Sequence, residues 1–287
     1  MAALPGPLVA TDWLARRLDE PGLRIFDCTL VSRAAPDGSD LIAESGRTAY
    51  AAGHLPGAAH LDVLALSDPG QPWRYALPTP ERFAVLAGAA GIGRGVRAVL
   101  YCRNHHMWAA RMWNTLRHFG FDDAAVLDGG WAKWTSEGRA TETAARSHPP
   151  AEFAARPRAG VFVDKAAVAA ALDDPAVRLV NALSPEQHAG TGGVHYGRAG
   201  RLPGSVNVPA RALTDPETQA YLPPERLRRV FEAAGALDRP RTIVYCGGGV
   251  AASSDALALR LIGRDAAVYG LSLQEWARDP AMPLVRG

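Results

Sequence analysis

Cys246 stands in the run Val244-Tyr245-Cys246-Gly247-Gly248-Gly249-Val250-Ala251-Ala252-Ser253, where an apolar stretch reaches a cysteine, then three glycines, then an alanine-rich segment. Each part has a chemical use. Glycine has no β carbon, so the backbone curls tightly and turns successive N–H groups into one bowl. The alanine-rich segment predicts a helix running to about Leu261, whose first turn adds unpaired N–H groups and the positive end of its dipole. A cysteine on the rim of that cradle has its thiolate, or a persulfide anion, stabilised, which makes it a usable nucleophile near neutral pH. The plainer reading is a small buried core residue beside a turn. Three consecutive glycines after a strand-terminal cysteine favour the reactive one.

The rest of the composition narrows the setting. A chain of 287 residues divides into about two domains. A formal net charge of +2 gives no support for nucleic-acid or membrane binding. The cysteines Cys28, Cys102 and Cys246 are odd in number and far apart, so they make no disulfide framework and lack the paired short spacing of a zinc site. The first residues, Met1-Ala2-Ala3-Leu4-Pro5-Gly6-Pro7, lack the basic region and apolar run of a signal peptide, and no apolar stretch is long enough to span a bilayer. The expectation is a cytoplasmic protein with reduced thiols.

The elements that must position Cys246 occur twice. Gly53-His54-Leu55-Pro56-Gly57-Ala58 is echoed by Gly200-Arg201-Leu202-Pro203-Gly204-Ser205, and Leu77-Pro78-Thr79-Pro80-Glu81-Arg82-Phe83 by Leu222-Pro223-Pro224-Glu225-Arg226-Leu227. Val99-Leu100-Tyr101-Cys102 matches Ile243-Val244-Tyr245-Cys246, and Trp134 matches Trp276. The offset drifts only from 147 to 142 residues and the order is kept, so the chain is two copies of one domain. The first spans 1–143, a Pro-interrupted linker spans 144–159, and the second, with the glycine-rich cysteine loop, spans 160–287. Strands are expected at Arg24 to Asp27, Val96 to Tyr101, Val177 to Val180 and Thr242 to Tyr245. Thr79 reads as a helix N-cap with Pro80 in the first turn. Alternating strands and helices imply an α/β fold, each half a mainly parallel sheet flanked by helices.

The loop from Cys246 to Ala252 resembles the active-site loop of the thiosulfate and 3-mercaptopyruvate sulfurtransferases, two-domain members of the rhodanese superfamily. The repeated Leu-Pro-Gly segments, Ser205-Val206-Asn207-Val208-Pro209 and Val126-Leu127-Asp128-Gly129-Gly130-Trp131 agree with it, over nearly the whole chain. The resemblance implies two tandem rhodanese-like domains and a ping-pong reaction. The Cys246 thiolate takes sulfur from a small-molecule donor to become a persulfide, and a thiol, cyanide or a thioredoxin-like acceptor removes it. The amides of Gly247, Gly248, Gly249, Val250, Ala251 and Ala252 would hold the persulfide charge, with no metal or organic cofactor. Trp131, Trp134 and Trp276 fall at packing positions of the family, and Trp108 and Trp113 read as packing rather than pocket lining.

Departures from the family pattern bear on the donor. The strand-end Asp-Ala-Arg of the family is Asn181-Ala182-Leu183, and a second substrate-binding arginine falls at Ala189. An acid and a histidine that assist some members fall at Leu64 and Tyr75, and the loop has Gly248 and Ala251 where others carry Ser or Arg and Thr. Arginine grips carboxylates and thiosulfonates through two hydrogen bonds, so its loss weakens both standard donors unless Arg198 or Arg201 substitutes.

The first domain departs the other way. Cys102 occupies the position where two-domain members have a non-cysteine. One reading is that Arg103, His105 and His106 depress its pKa by positive charge or by taking its proton; the favoured reading is a silent domain in which the histidines are exposed or satisfy local hydrogen bonds. Cys28 follows Asp27 on the strand expected beside it, so the two thiols would form a possible second persulfide or redox site. In a silent domain Cys28 is simply packed.

Two rival readings complete the set. A cysteine phosphatase needs an arginine six residues after its cysteine, where this chain has Ala252 and Trp108. A degenerate rhodanese pair acting as a non-catalytic binding or regulatory module would explain the lost arginines but not the intact cysteine cradle.

Overall fold

In a computed structural model, which describes residues 3–287, the two copies are built on the same plan. The first contains β1 (Leu8–Val9), α1 (Thr11–Ala15), β2 (Leu23–Asp27), β3 (Leu30–Ala34), β4 (Leu41–Ser45), α2 (Arg47–Ala52), β5 (Ala58–His60), α3 (Pro80–Ala89), β6 (Arg97–Tyr101), α4 (Met107–His118), β7 (Ala124–Leu127) and α5 (Gly130–Ser136). The second contains β8 (Phe162–Val163), α6 (Lys165–Ala171), β9 (Val177–Asn181), α7 (Pro185–Ala189), β10 (Val206–Asn207), α8 (Pro224–Ala233), β11 (Arg241–Tyr245), α9 (Val250–Leu261), β12 (Ala267–Tyr269) and α10 (Ser272–Trp276).

Each copy forms a five-stranded parallel sheet. The orders β1-β7-β6-β2-β5 and β8-β12-β11-β9-β10 are the same order twice. The central strands β6 and β11 are buried along almost their whole length, as expected where helices cover both faces. Among the described residues no helix is long and apolar enough to cross a membrane.

The sequence echoes are contacts that each copy makes for itself. The Tyr101 hydroxyl accepts a hydrogen bond from the Leu55 amide at 3.2 Å, and the Tyr245 hydroxyl accepts one from the Leu202 amide at 3.1 Å. The tyrosine before each cysteine thus ties the strand end to the Leu-Pro-Gly loop. Trp134 and Trp276 are fully buried, and their indoles donate to Ala140 O and Pro283 O. Thr79 caps α3 by accepting from the Arg82 amide. Trp131 departs from its expected place in the core: it is half-buried, and the Arg103 guanidinium lies 3.8 Å from its ring centroid.

Three further features go beyond the sequence reading. An antiparallel hairpin, β3–β4, is inserted in the first copy only. β3 is exposed after Leu30 and β4 is mostly half-buried, with no clear alternation in either, which leaves no strand pattern in the sequence. Residues 144–158 form neither helix nor strand but strap the first domain, with Ala151, Arg156 and Arg158 amides donating to Gly88 O, Phe119 O and His118 O. Finally, α4 packs on α9, and one hydrophobic cluster runs through both domains. Asn114 Nδ2 donates to Ser253 O at 2.9 Å and Gln274 Nε2 to Arg74 O at 2.8 Å, while Asp40 on the hairpin pairs with both Arg74 and Arg278.

Candidate active site

β11 delivers Cys246 to the carboxyl edge of the second sheet, where ligand sites of parallel sheets gather. Gly247, Gly248 and Gly249 then turn the chain into α9. Gly249 takes φ 77°, a left-handed conformation that suits glycine, and its amide donates to Cys246 Sγ at 3.1 Å. The loop is clamped from behind by the start of α10. Cys246 N donates to Ser272 Oγ at 3.1 Å, and the Leu273 and Gln274 amides donate to Cys246 O and Gly247 O. Gly247 has no room for a side chain, because a β carbon there would lie 1.9 Å from Cζ of Tyr196.

Cys246 is only 2% exposed, yet it lines a cavity of about 750 Å³ between the two domains. Gly247, Gly248, Val250 and Ala251 share that wall, whereas Ala252 is buried away from it. Of the amides expected to cradle the sulfur, Gly249 is the one that reaches it as the side chain now stands. The first domain closes the cavity with Arg74, Tyr75, His105 and Trp108, so Trp108 is a lining residue as well as a packed one, contrary to expectation. Trp113 is buried packing, its indole donating to Ala124 O.

The structure also shows what the departures from the family pattern leave behind. Leu183 lines the cavity at the place of the missing arginine, while Ala189 and Leu64 do not reach it. Arg198 and Arg201 do not substitute. Arg198 donates to the carbonyls of Ala277, Asp279 and Met282, and Arg201 to those of His188 and Gly287, which holds both guanidiniums outside the cavity. The cations at the cavity are Arg74, already paired with Asp40, and the exposed Arg211. Neither stood out in the sequence, because Arg74 lies in a loop and Arg211 in a short 3-10 turn (Ala210–Leu213), neither of which carries a motif.

Cys102 has the opposite surroundings. Its sulfur accepts from the Ala109 amide at 3.1 Å, an echo of the Gly249 contact, but the space beside it is about 10 Å³. That is at most the room of one water. Arg103, His105 and His106 do not supply the positive charge that an activated Cys102 would need. Burial pushes the Cys102 thiol well up, and the Cys28 thiol too, with Cys102 and Asp27 adding to the latter shift. Burial drives His105 down to about 4 and His106 to about 3, so both rings are neutral at physiological pH and supply no charge. His106 is bonded to Ser254 Oγ across the domain interface, and Arg103 is turned away onto Gly53 O and Trp131. Cys28, Cys102 and Cys246 are all free thiols.

Two site residues escaped the sequence reading altogether. Tyr196 is buried in a left-handed conformation (φ 55°) with its ring against Gly247. Arg111, on α4 of the first domain, has its Nη1 so close to Gly249 that a β carbon there would lie 2.9 Å from it. Tyr196 carries no sequence signal, and the sequence offers no reason to link Arg111 to a loop in the other domain.

A family model described as "Rhodanese-like domain" matches residues 10–137 and again 164–279. The 3-mercaptopyruvate sulfurtransferase of Escherichia coli is 32% identical over 288 residues, covering 96% of this chain and 96% of its own. The thiosulfate sulfurtransferase of Bos taurus is 31% identical over 284 residues, covering 94% of this chain and 91% of its own. Among solved structures, a 3-mercaptopyruvate sulfotransferase of Escherichia coli superposes with a TM-score of 0.81 at 29% identity, over 92% of this chain and 97% of that one.

Proposed function

The chain belongs to the rhodanese family and is a sulfurtransferase, and we propose that Cys246 carries the transferred sulfur as a persulfide. One observation supports that assignment above the others. Cys246 faces a cavity of about 750 Å³ with the Gly249 amide on its sulfur, whereas Cys102 faces about 10 Å³.

The reaction follows from the chemistry of the thiolate. With thiosulfate, Cys246 Sγ attacks the outer sulfur, the S–S bond breaks, and sulfite leaves with its electron pair. With 3-mercaptopyruvate, the C–S bond breaks and the leaving pyruvate enolate takes up a proton. Either way the product is Cys246–S–S⁻, whose charge meets the amide and helix end that already face the sulfur. A thiol, cyanide or a thioredoxin-like protein then attacks the outer sulfur and releases the Cys246 thiolate. The cycle needs Cys246 as a free thiol, which suits a reducing, cytoplasmic setting.

Leu183 in place of a guanidinium makes both small anions weak donors in this reading. Thiocyanate formation from cyanide with either donor tests it: wild type forms thiocyanate and Cys246→Ser does not. Equal turnover by both proteins rules the assignment out.

A further inference from the structure

Arg111 is a buried cation with no salt bridge among the described residues; behind the loop it lines a second cavity, of about 380 Å³, together with His118, Asp164 and Glu275. It is 2% exposed, its Nη2 donates to Tyr75 O at 2.6 Å, and its Nη1 has no hydrogen-bond partner. The guanidinium lies 4.5 Å from the ring centroid of Phe162, which supplies a π face but no counter-charge. Burying a charge in this way is costly unless a counter-charge meets it. Burial draws the guanidinium down to about 10, so it stays charged at neutral pH, and Cys246 is the leading influence in the opposite direction.

The internal repeat sharpens the point. Arg111 stands nine residues after Cys102, and nine residues after Cys246 stands Asp255. Asp255 is also buried, neither of its oxygens has a partner, and burial pushes its carboxyl well up towards the neutral form. The helix of the silent copy therefore brings a cation to the reactive loop, while the helix of the reactive copy carries an acid that burial holds neutral.

We propose that Arg111 is a positioning residue that reaches from the first domain to hold negative charge on Cys246 sulfur, first as thiolate and then as persulfide. It acts through the field at Gly249 and touches neither donor nor acceptor. Docking of the two domains then completes the nucleophile, which gives the silent copy a function. The inference rests on the reading of Cys246 as the sulfur carrier. Other groups facing the loop are Tyr75 and Tyr196, whose hydroxyls are held protonated by burial, Ser272 behind it, and His105, Arg211 and the Arg74–Asp40 pair at the cavity.

Iodoacetamide labelling of Cys246, followed by peptide mass spectrometry, tests this without any sulfur donor, so it is separable from failure of the sulfurtransfer reading. Loss of one favourable charge is worth about one pH unit, so Arg111→Gln slows labelling about tenfold at pH 7. The difference narrows at pH 9, where Arg111 is still charged, because an effect on thiol ionisation shrinks as pH rises whereas a structural defect does not. Arg111→Lys keeps the charge and labels within about threefold of wild type at pH 7. A folded Arg111→Gln protein that labels at the wild-type rate at pH 7, or is slowed equally at both pH values, overturns the proposal. If Arg111→Gln loses its cooperative thermal transition, Arg111→Lys decides. Labelling within about threefold of wild type upholds the proposal, and slowing beyond about tenfold at both pH values overturns it.

Discussion

The ring of Tyr196 fills the space that a side chain at Gly247 would need, with only 1.9 Å between Cζ and the position of a β carbon. Tyr196 is itself buried and held at φ 55°, so it has little freedom to yield. Gly247→Ala is therefore expected to cost about 1–3 kcal/mol of stability, as overpacking does. It also pushes the ring into the cavity, and sulfur transfer falls by about tenfold or more, a further 1.4 kcal/mol or so of barrier. Thermal melts and steady-state rates check both parts. An alanine variant with wild-type rates would show that the Tyr196 contact does not shape the loop.

Cys102 and Cys28 are expected to be inert in the folded protein. Burial pushes both thiols up, and neither lines the cavity that Cys246 faces. Alkylation of either at pH 7 should track global unfolding, so mild denaturant accelerates it while Cys246 labelling is already complete. Cys102→Ser should keep sulfur transfer within about twofold, the range of a substitution that loses no transition-state contact. Rapid alkylation of Cys102 in the native state would restore the case for a second reactive site.

Donor preference should respond to a single arginine. Leu183 lines the cavity at the place where the family pattern has a guanidinium. Leu183→Arg is predicted to raise kcat/KM for 3-mercaptopyruvate or thiosulfate about tenfold, the worth of one charge-assisted hydrogen bond. The rate of persulfide discharge to a neutral thiol should stay near wild type. No gain with either anion would mean that the donor does not pass Leu183.

Acid should weaken the domain interface through His106. Folded His106 binds its proton only near pH 3, whereas an unfolded histidine does so near about 6.5. The unfolded state thus takes up the proton first. The contribution is complete above about pH 6.5 and is lost as pH falls towards 3, amounting to about 2 kcal/mol by pH 5. His106→Asn should lose less stability than wild type between pH 7 and pH 5 in chemical denaturation. A parallel loss in both proteins would remove His106 from the account.

Much of this architecture was legible because the duplicated motifs are physical contacts. The Tyr-Cys and Leu-Pro-Gly segments recur together since each tyrosine hydroxyl bonds the leucine amide of its own copy. The parallel α/β character followed from the alternation of apolar runs and helices, whereas the order of strands in each sheet did not. Less was legible where function depends on one copy meeting the other. Arg111, Tyr75 and Trp108 belong to the first domain yet lie against the cysteine loop or its cavity in the second, a relation set by the packing of α4 on α9 rather than by spacing. The surroundings of Cys102 were illegible for the same reason. Arg103, His105 and His106 look basic in sequence, but burial neutralises the histidines and Trp131 takes the guanidinium.

The central claim is that Cys246 is the atom's carrier, and it is tested most directly by peptide mass spectrometry of reduced protein after brief exposure to 3-mercaptopyruvate or, separately, thiosulfate. The account predicts a gain of one sulfur on the peptide containing Cys246 and none on those containing Cys102 or Cys28. Sulfur on the Cys102 peptide, with Cys246 unmodified, would contradict it.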